Sequence, residues 1–491
     1  MPLVSFAEWR PDVSDYQGAG QHTNNVLNVF PRGDGYGPAQ ALAAYSATIG
    51  TSPCRGFFYA RKNDGTVAVF AGTSQSLYLL DNSTLTWGNV SQSSSAYSAL
   101  SGSANWQFEQ FNKNVIAVQQ NAPPQVYSLT SSTDFQDLTG SPPQAAYVSV
   151  VNRFLVLSGI LAPNVYRVHW SDLNDITNWS SGQSDSQDFA DGGIVRGVAG
   201  GESGLIFQDA AIRRMTFAPG SPYVFGIERI AKDDGIFAPY SLIGSGDTVF
   251  YLSNDGFKSI TAGGFPEPIG KERVDRFFFE DVDTGSPQLI IGAHDPAKTR
   301  VYWAYKSVSG TPGQFDKILC YDFMLKKWTL IQQSGEYISS LSSPGLTLEL
   351  VDTAYGTNID TISLGSLDDI PTASAAAIAA FDTSHKLSFF NGANLAATLE
   401  TGEQGADGRL IHIKGIRPVT DSSDVTVAIS RRLTPQSTTA YSTATDLNTE
   451  TGVCPAHVTT RYARAKVSIT AASTWSFAAG VEPEFSIQGM R

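Results

Sequence analysis

The feature of this 491-residue sequence that most constrains its fold is a weak internal repeat. At intervals of roughly 40 to 50 residues the same order returns: an apolar strand, a short turn, an alternating strand and an aromatic-rich end. A period of that length with only strand signals inside it is typical of a β-propeller, in which each repeat forms one four-stranded blade. Seven repeats are predicted, beginning near Phe57, Trp106, Tyr147, Ile194, Tyr240, Leu289 and Tyr337.

Single repeats show the local signals of paired strands. In the first, residues 56–60 and 66–70 are apolar strands, and the Asp-Gly pair within residues 62–65 predicts a hairpin turn between them. Residues 106–111 alternate with period two, which indicates a strand with one buried face. Residues 253–256 predict a second hairpin turn.

The chain divides by its patterns into three parts. Residues 1–50 form a Gly-, Asn- and Pro-rich arm that packs on the propeller or adds a closing strand, and residues 39–45 are its one short helix candidate. Residues 51–399 form the propeller, with about seven blades predicted and six or eight left open. From residue 400 the strands become longer, and two are expected over 473–477 and 481–487, which predicts a C-terminal β-sandwich over 400–491. The predicted fold class is all-β.

Composition limits the functional classes. Charged residues make up 16% of the chain, against about 25% in an average soluble protein. Such a weakly charged surface suits a protein packed against neighbours, and a secreted β-protein is the alternative. The net charge is −13, and residues 400–491 hold nine basic and nine acidic groups, so the acidic excess precedes them. Because phosphate binding needs cationic patches, avid nucleic-acid binding is not expected of the propeller.

The cysteines and the N-terminus indicate a reduced, unsecreted protein. Cys54, Cys320 and Cys454 are far apart and odd in number, so we expect free, mostly buried thiols in a reducing compartment. The N-terminus has no basic stretch followed by an apolar one, so no signal peptide is expected. No run approaches the roughly 18 apolar residues of a membrane helix, so no membrane segment is expected.

The densest local motif is Trp170-Ser-Asp172, followed by Asp175 and Trp179. One interpretation is a carbohydrate platform, with two tryptophans beside carboxylates. The other is structural, in which the Asp and Asn side chains cap a turn and Trp179 fills the space between blades. We favour the structural interpretation.

Other charged residues have simpler interpretations. Three aspartates recur every third residue in a Ser- and Gly-rich stretch, which predicts a solvated loop, because a calcium site needs more closely spaced ligands: Asp185, Asp188 and Asp191. Two acidic pairs before Gly or Pro are predicted as turn residues: Asp233-Asp234 and Asp368-Asp369. Two arginine pairs lie on strands, where neighbouring side chains point to opposite faces, so neither makes a phosphate clamp alone: Arg213-Arg214 and Arg431-Arg432.

Motifs of known enzyme classes are missing from the sequence. A sialidase-type box, a phosphate-binding Walker loop and a GxSxG element do not occur. No spacing predicts a metal site among the six single histidines: His22, His169, His294, His385, His412 and His457. We therefore predict no enzyme, and no catalytic, cofactor-binding or metal-binding residues.

Several phrases of the sequence resemble those of tail hub or nozzle proteins from short-tailed bacteriophages. The similarity spans most of the chain and lies in residues 168–179, 204–215, 235–239, 249–257 and 321–328, and in the closing segment from 399 to Trp475. No residue in these phrases has a catalytic role in the family.

The resemblance implies a structural virion protein of the tail, assembled in the host cytoplasm. It implies a homo-oligomeric ring of six subunits, bound above to a head-to-tail adaptor and flanked by tail fibres or spikes. DNA would pass through the ring without specific binding, because an acidic wall repels phosphates. Two alternatives stay open: a carbohydrate-binding, receptor-recognising tail component, and a glycosidase on the same scaffold.

Overall fold

A computed structural model describes residues 3–13, 21–261, 263–342, 376–405 and 408–489. Strands account for 52% of the chain and helix for 4%, which confirms the all-β prediction. The described residues hold one α-helix, α1 (Asp275–Asp281), and four short 3-10 turns, at Gln92–Ser94, Ala190–Gly192, Pro239–Ser241 and Pro287–Leu289. The predicted turn at Asp368-Asp369 lies outside the described residues.

The chain begins with six short strands, and three of them pair with distant parts of the molecule. These are β1 (Val4–Ser5), β2 (Glu8–Trp9), β3 (His22–Thr23), β4 (Val29–Pro31), β5 (Tyr36–Pro38) and β6 (Ala43–Thr48).

Seven four-stranded antiparallel sheets follow, and we number them S1 to S7 in chain order. S1 contains β7 (Phe57–Arg61), β8 (Val67–Gly72), β9 (Leu77–Asp81) and β10 (Thr86–Asn89). S2 contains β11 (Gln107–Phe111), β12 (Asn114–Gln119), β13 (Ala122–Ser128) and β14 (Gln136–Asp137). S3 contains β15 (Ala145–Val151), β16 (Phe154–Ile160), β17 (Arg167–Trp170) and β18 (Asp185–Asp188). S4 contains β19 (Val195–Ala199), β20 (Ser203–Gln208), β21 (Ala211–Phe217) and β22 (Phe225–Lys232).

S5 contains β23 (Ile243–Ser245), β24 (Thr248–Ser253), β25 (Gly256–Thr261) and β26 (Glu267–Pro268). S6 contains β27 (Ile291–Asp295), β28 (Arg300–Tyr305), β29 (Phe315–Asp322) and β30 (Lys327–Gly335). S7 contains β31 (Tyr337–Ser342), β32 (Ala376–Phe381) and β33 (Lys386–Phe389), and its fourth strand is β6 from the N-terminus.

The first strands of these sheets begin where the sequence predicts the repeats. Each first strand starts within three residues of its predicted position, because the strands that follow it are buried on both faces and give continuous apolar runs. All six residues of β8 and all seven of β16 are buried. The hairpin turns predicted at 62–65 and 253–256 are also confirmed.

Apolar clusters lie between consecutive sheets in a cyclic order. One cluster joins S1 to S2, and others join S2 to S3, S3 to S4, S4 to S5, S5 to S6 and S6 to S7. A seventh cluster joins S7 back to S1, with Phe381 and Leu387 packed near Phe57 and Val69. Burial on both faces is what holds each sheet, since a twisted four-stranded sheet alone leaves an apolar face in water.

Strands β2 and β3 pair with each other in a two-stranded parallel sheet. Strands β1, β4 and β5 join nine later strands in two six-stranded sheets. The later strands are β34 (Ala397–Glu400), β35 (Gln404–Gly405), β36 (Ile411–Thr420), β37 (Val425–Arg432), β38 (Ala440–Tyr441), β39 (Thr445–Asp446), β40 (Cys454–Thr460), β41 (Tyr462–Ile469) and β42 (Ala478–Ile487). One sheet has the order β4-β5-β42-β36-β40, with β1 also beside β42; the other has the order β34-β41-β37-β38, with β35 and β39 as short additions. We call these the terminal sheets, and they share one apolar cluster with S5 and S6.

Three local predictions are wrong. The helix expected over 39–45 is replaced by β6, because Ala43 and Ala44 pair with β33 across S7. The strand expected over 473–477 is a loop in which Ser476 N–H donates to Asp421, and the single strand β42 follows it. The third is the loop expected around Asp185 and Asp188, which is strand β18, paired with β17.

A substitution at Ser46 tests the contact between S7 and S1. Its buried hydroxyl accepts hydrogen bonds from Leu387 N (3.1 Å) within S7 and from Trp87 Nε1 (3.0 Å) of S1. Ser46→Ala would leave one buried and one half-buried donor without this acceptor, so we expect a loss of about 1–3 kcal/mol in the free energy of unfolding. Chemical denaturation measures it, with exposed Ser95→Ala as the control; equal stability of both variants would contradict the closure.

Candidate functional site

A group of polar side chains occupies the place where the first strands of several sheets meet. Tyr147 lies on β15 of S3. Four more residues lie just before the first strands of S1, S2, S5 and S6, in that order: Arg55, Asn105, Tyr240 and Gln288. We call these five residues the central group. Each lies at or within a few residues of a predicted repeat start, and their common role was not predicted because no one residue type recurs in all the repeats.

Hydrogen bonds and a ring contact hold the central group together. The backbone N–H of Asn105 donates to the Tyr240 hydroxyl (2.8 Å), and Asn105 Nδ2 donates to the backbone carbonyl of Gln288 (2.8 Å). Arg55 Nε donates to Asn105 Oδ1 (2.9 Å). The Tyr147 and Tyr240 rings meet edge to face with their centroids 6.0 Å apart. Burial raises the pKa of Tyr240 to about 12, so this hydroxyl stays protonated at neutral pH.

Glu109 lies on β11, the first strand of S2, and the pKa of its carboxyl group is strongly raised. Its carboxylate accepts a hydrogen bond from Gln110 N–H at 3.3 Å. Burial raises the pKa of Glu109 to about 7, since desolvation disfavours the charged form.

The two tryptophans of the densest motif lie in different clusters. Trp170 is 3% exposed and packs between S3 and S4, whereas Trp179 is 4% exposed and packs between S2 and S3. Asp172 accepts hydrogen bonds from Leu173 N–H and Gln183 N–H, both at 2.8 Å. The contact with Gln183 is the main reason that the pKa of Asp172 is lowered. The motif is therefore a turn with two buried indoles, and it presents no exposed aromatic platform.

Two of the three aspartates around β18, Asp188 and Asp191, form ion pairs with arginines. Asp188 binds Arg167 Nε at 2.7 Å, and this contact lowers the pKa of the Asp188 carboxyl. Asp191 binds Arg213, and also Arg229 at 2.9 Å. Within the described ranges, no group of three or more His, Cys, Asp or Glu side chains has the arrangement of a metal site.

Asp233 and Asp234 occupy the connection between β22 and S5. Asp233 adopts a left-handed backbone (φ 59°), as a turn residue does. Asp234 accepts hydrogen bonds from Lys258 Nζ (3.0 Å) and Ser253 Oγ (2.7 Å), which the sequence analysis did not predict.

The two members of each arginine pair lie in different surroundings, as the alternation of a strand requires. Arg213 is buried, binds Gln208 Oε1 at 2.9 Å and lies over the Phe189 ring. Arg214 binds Glu228 at 3.0 Å. In the second pair Arg431 is exposed, whereas Arg432 is buried and binds a carboxylate.

The thiols and imidazoles are separate from the central group. All three cysteines are free and buried, as predicted. Burial raises the pKa of Cys320 to about 12 and that of Cys454 to about 11. Strand pairing brings His412 and His457 together with their ring centroids 6.3 Å apart, a proximity that their sequence separation did not reveal.

A buried ionic group joins the two ends of the chain. Glu400, fully buried, accepts hydrogen bonds from Thr23 Oγ1 (2.6 Å) and Asn25 Nδ2 (3.0 Å). Arg464 lies 3.8 Å from the same carboxylate, and Arg432 binds Glu403 at 3.1 Å. Because buried charges need partners, this group fixes the N-terminal segment to the terminal sheets.

No family model matches the chain, and no curated protein matches it. Among the described residues, no helix reaches the length and apolarity that crossing a bilayer requires.

Glu109 predicts how stability varies with pH. Its folded-state pKa of about 7 exceeds the ordinary value of 4.5, so the folded state binds the extra proton and stability falls as the pH rises from about 4.5 to 7. Glu109→Gln keeps a neutral side chain, so we expect it to raise the free energy of unfolding above pH 7 by about 1–3 kcal/mol and to change little below pH 4.5.

Denaturant titrations at pH 4.5 and pH 8 measure this difference. The matched control is Glu450→Gln, because Glu450 is exposed. A Glu109→Gln variant with the same pH dependence as the unmodified protein would show that Glu109 does not titrate in this window.

Proposed function

We propose that this chain is a structural subunit of the nozzle or hub ring of a short bacteriophage tail, through which the genome is retained and ejected. In this proposal S1 to S7 are the blades of a seven-bladed β-propeller, and the terminal sheets are a β-sandwich. The cyclic order of the seven apolar clusters is the observation that supports it best, because it makes the chain a rigid block suited to building a wall.

The central group bears on where DNA would pass. The major groove of a DNA duplex is alone about 12 Å wide. The hydrogen-bonded contacts of Asn105 with Tyr240 and Gln288 leave no room for a duplex between the first strands. The conduit of a nozzle would therefore lie between copies of the chain, with each propeller as part of its wall.

Electrostatics supports passive conduction. The chain has a net charge of −13, and its acidic excess lies outside residues 400–491. An acidic lining would repel phosphates, so DNA would neither adhere during storage nor stall during release. Several cations are already paired with carboxylates, as Arg167 with Asp188 and Arg214 with Glu228.

The burial of Trp170 and Trp179 argues against the carbohydrate-binding alternative. That alternative requires aromatic side chains exposed together, whereas Trp170 and Trp179 are both nearly fully buried. A mechanical role without bond-making chemistry is the interpretation we propose. It includes assembly in the host cytoplasm, attachment to a head-to-tail adaptor and contact with fibres or spikes.

Assembly tests this proposal. We expect native mass spectrometry of the full chain, alone or with the adaptor ring, to give a closed ring, six copies of a 52.6-kDa chain by analogy with the family. We also expect no retention of duplex DNA in a mobility shift at about 150 mM salt, where phosphate contacts would otherwise be detectable.

Two results would overturn the proposal. One is a protein that stays monomeric and never enters a particle. The other is hydrolysis of a polysaccharide that is lost when a single Asp or Glu is changed, since a conduit needs no such chemistry.

A further inference from the structure

Two histidines lie side by side on one of the terminal sheets. His412 is on β36 and His457 is on β40, the strand that pairs with β36. Their ring centroids are 6.3 Å apart, and the planes of the two rings differ by 24°. The sequence gives no sign of this pair, because strand pairing brings the two rings together and no short spacing links them. A pair of neighbouring imidazoles is a potential chelating group for a metal ion.

Both imidazoles are on the solvent face of the sheet. Along β36 and β40 they alternate with Ile411, Ile413 and Val458, which are buried on the inner face. His412 is half-buried and His457 is exposed. An ion from solution therefore reaches both rings without any opening of the fold.

A hydrogen bond orients the His412 ring. Its Nδ1 lies 2.9 Å from Oγ1 of Thr459, the residue directly opposite on β40. With the ring proton on Nδ1, this nitrogen donates to the hydroxyl, and Nε2 keeps a free lone pair. Histidine ligands of metal ions have this arrangement, in which the second ring nitrogen is held by a hydrogen bond. Thr459 is thus placed to fix the ring of a metal ligand.

The separation of the two rings suits one shared ion. Zinc–nitrogen bonds of about 2.0–2.1 Å at a tetrahedral angle place two ligand nitrogens about 3.3 Å apart. The torsion between Cβ and an imidazole ring has broad energy minima, so a surface ring turns at little cost. The two rings, with their centroids 6.3 Å apart, can therefore turn toward a common ion while the strands stay in place.

We propose that His412 and His457 bind one divalent transition-metal ion, with water in its other coordination positions. Imidazole ligands favour zinc, copper and nickel, whereas magnesium and calcium take oxygen ligands. Two protein ligands make a weaker site than the four of a structural zinc centre. The inference is independent of the proposed role in a tail, since it concerns one face of a single chain.

A metal ion at this position would join two strands. β40 is at the end of the strand order of its sheet, and β36 is its neighbour. Because the ligands come from different strands, the complete pair exists only in the folded protein. A ligand that binds the folded state stabilises it by mass action. The bound ion would therefore hold β40 on the sheet and raise the temperature of unfolding.

Four substitutions on the same strand pair separate chelation from the general charge of the surface. His412→Gln and His457→Gln each remove one ligand. Thr459→Val removes the hydrogen bond to His412 and keeps a branched side chain of similar size. The matched control is Lys414→Gln, because Lys414 is exposed two residues from His412 on β36 and has no imidazole. Circular dichroism and thermal unfolding without metal verify that each variant folds.

Isothermal titration calorimetry of the untagged full chain with zinc, copper(II) or magnesium chloride measures binding. We expect one zinc or copper ion per chain and no binding of magnesium. Each histidine variant should bind zinc at least about tenfold more weakly, and Thr459→Val about tenfold more weakly, as changes beside a metal ligand do. Lys414→Gln should bind zinc at least as tightly as the unmodified protein, because a neighbouring positive charge is removed. Zinc should raise the unfolding temperature of the unmodified protein and of Lys414→Gln, but of neither histidine variant.

Three results would overturn the metal site. One is an unmodified protein that binds neither zinc nor copper. Another is a histidine variant that binds zinc as tightly as the unmodified protein, since the ion would then not be shared by the two rings. The third is a loss of zinc binding in Lys414→Gln equal to that in the histidine variants.

Discussion

Pairing of β6 with β33 is the interaction on which the rest of the molecule depends. It supplies the fourth strand of S7 from a segment about 340 residues earlier in the chain, and it places Ser46 between S7 and S1. Without it S7 would expose a strand edge and part of the cluster around Phe381. The same N-terminal segment adds β1 and β5 to β42, so closure of the seven sheets and completion of the terminal sheets are linked through one stretch of chain.

The sequence predicted the positions of the repeated sheets well, but it did not predict how the N-terminal segment pairs with S7 and the terminal sheets. One physical reason explains both results. A strand buried on both faces, such as β8 or β16, is apolar at nearly every position, and that signal is local. Outermost strands lack it: β18 reads Asp-Ser-Gln-Asp and owes its conformation to backbone pairing with β17, so it was predicted as a loop. Pairing between residues hundreds of positions apart, as between Val4 and Val481, has no local pattern at all.

The same distinction explains what could be predicted of the site. Neighbouring side chains on a strand point to opposite faces, so the sequence alone predicts that Arg213 and Arg214 have different partners. The central group could not be foreseen, because Asn105, Tyr147 and Tyr240 lie near the starts of their repeats without one residue type or one fixed position in common. Its members are recognised only once the first strands converge, and their hydrogen bonds then follow from the need of buried polar atoms for partners.

Pairing of the N-terminal segment also orders folding. β1 and β6 precede their partners β42 and β33 by hundreds of residues, so neither pairing forms until that length of chain has been synthesised. Contacts of such sequence separation are slow to form, because the loop entropy is lost before the contacts are gained.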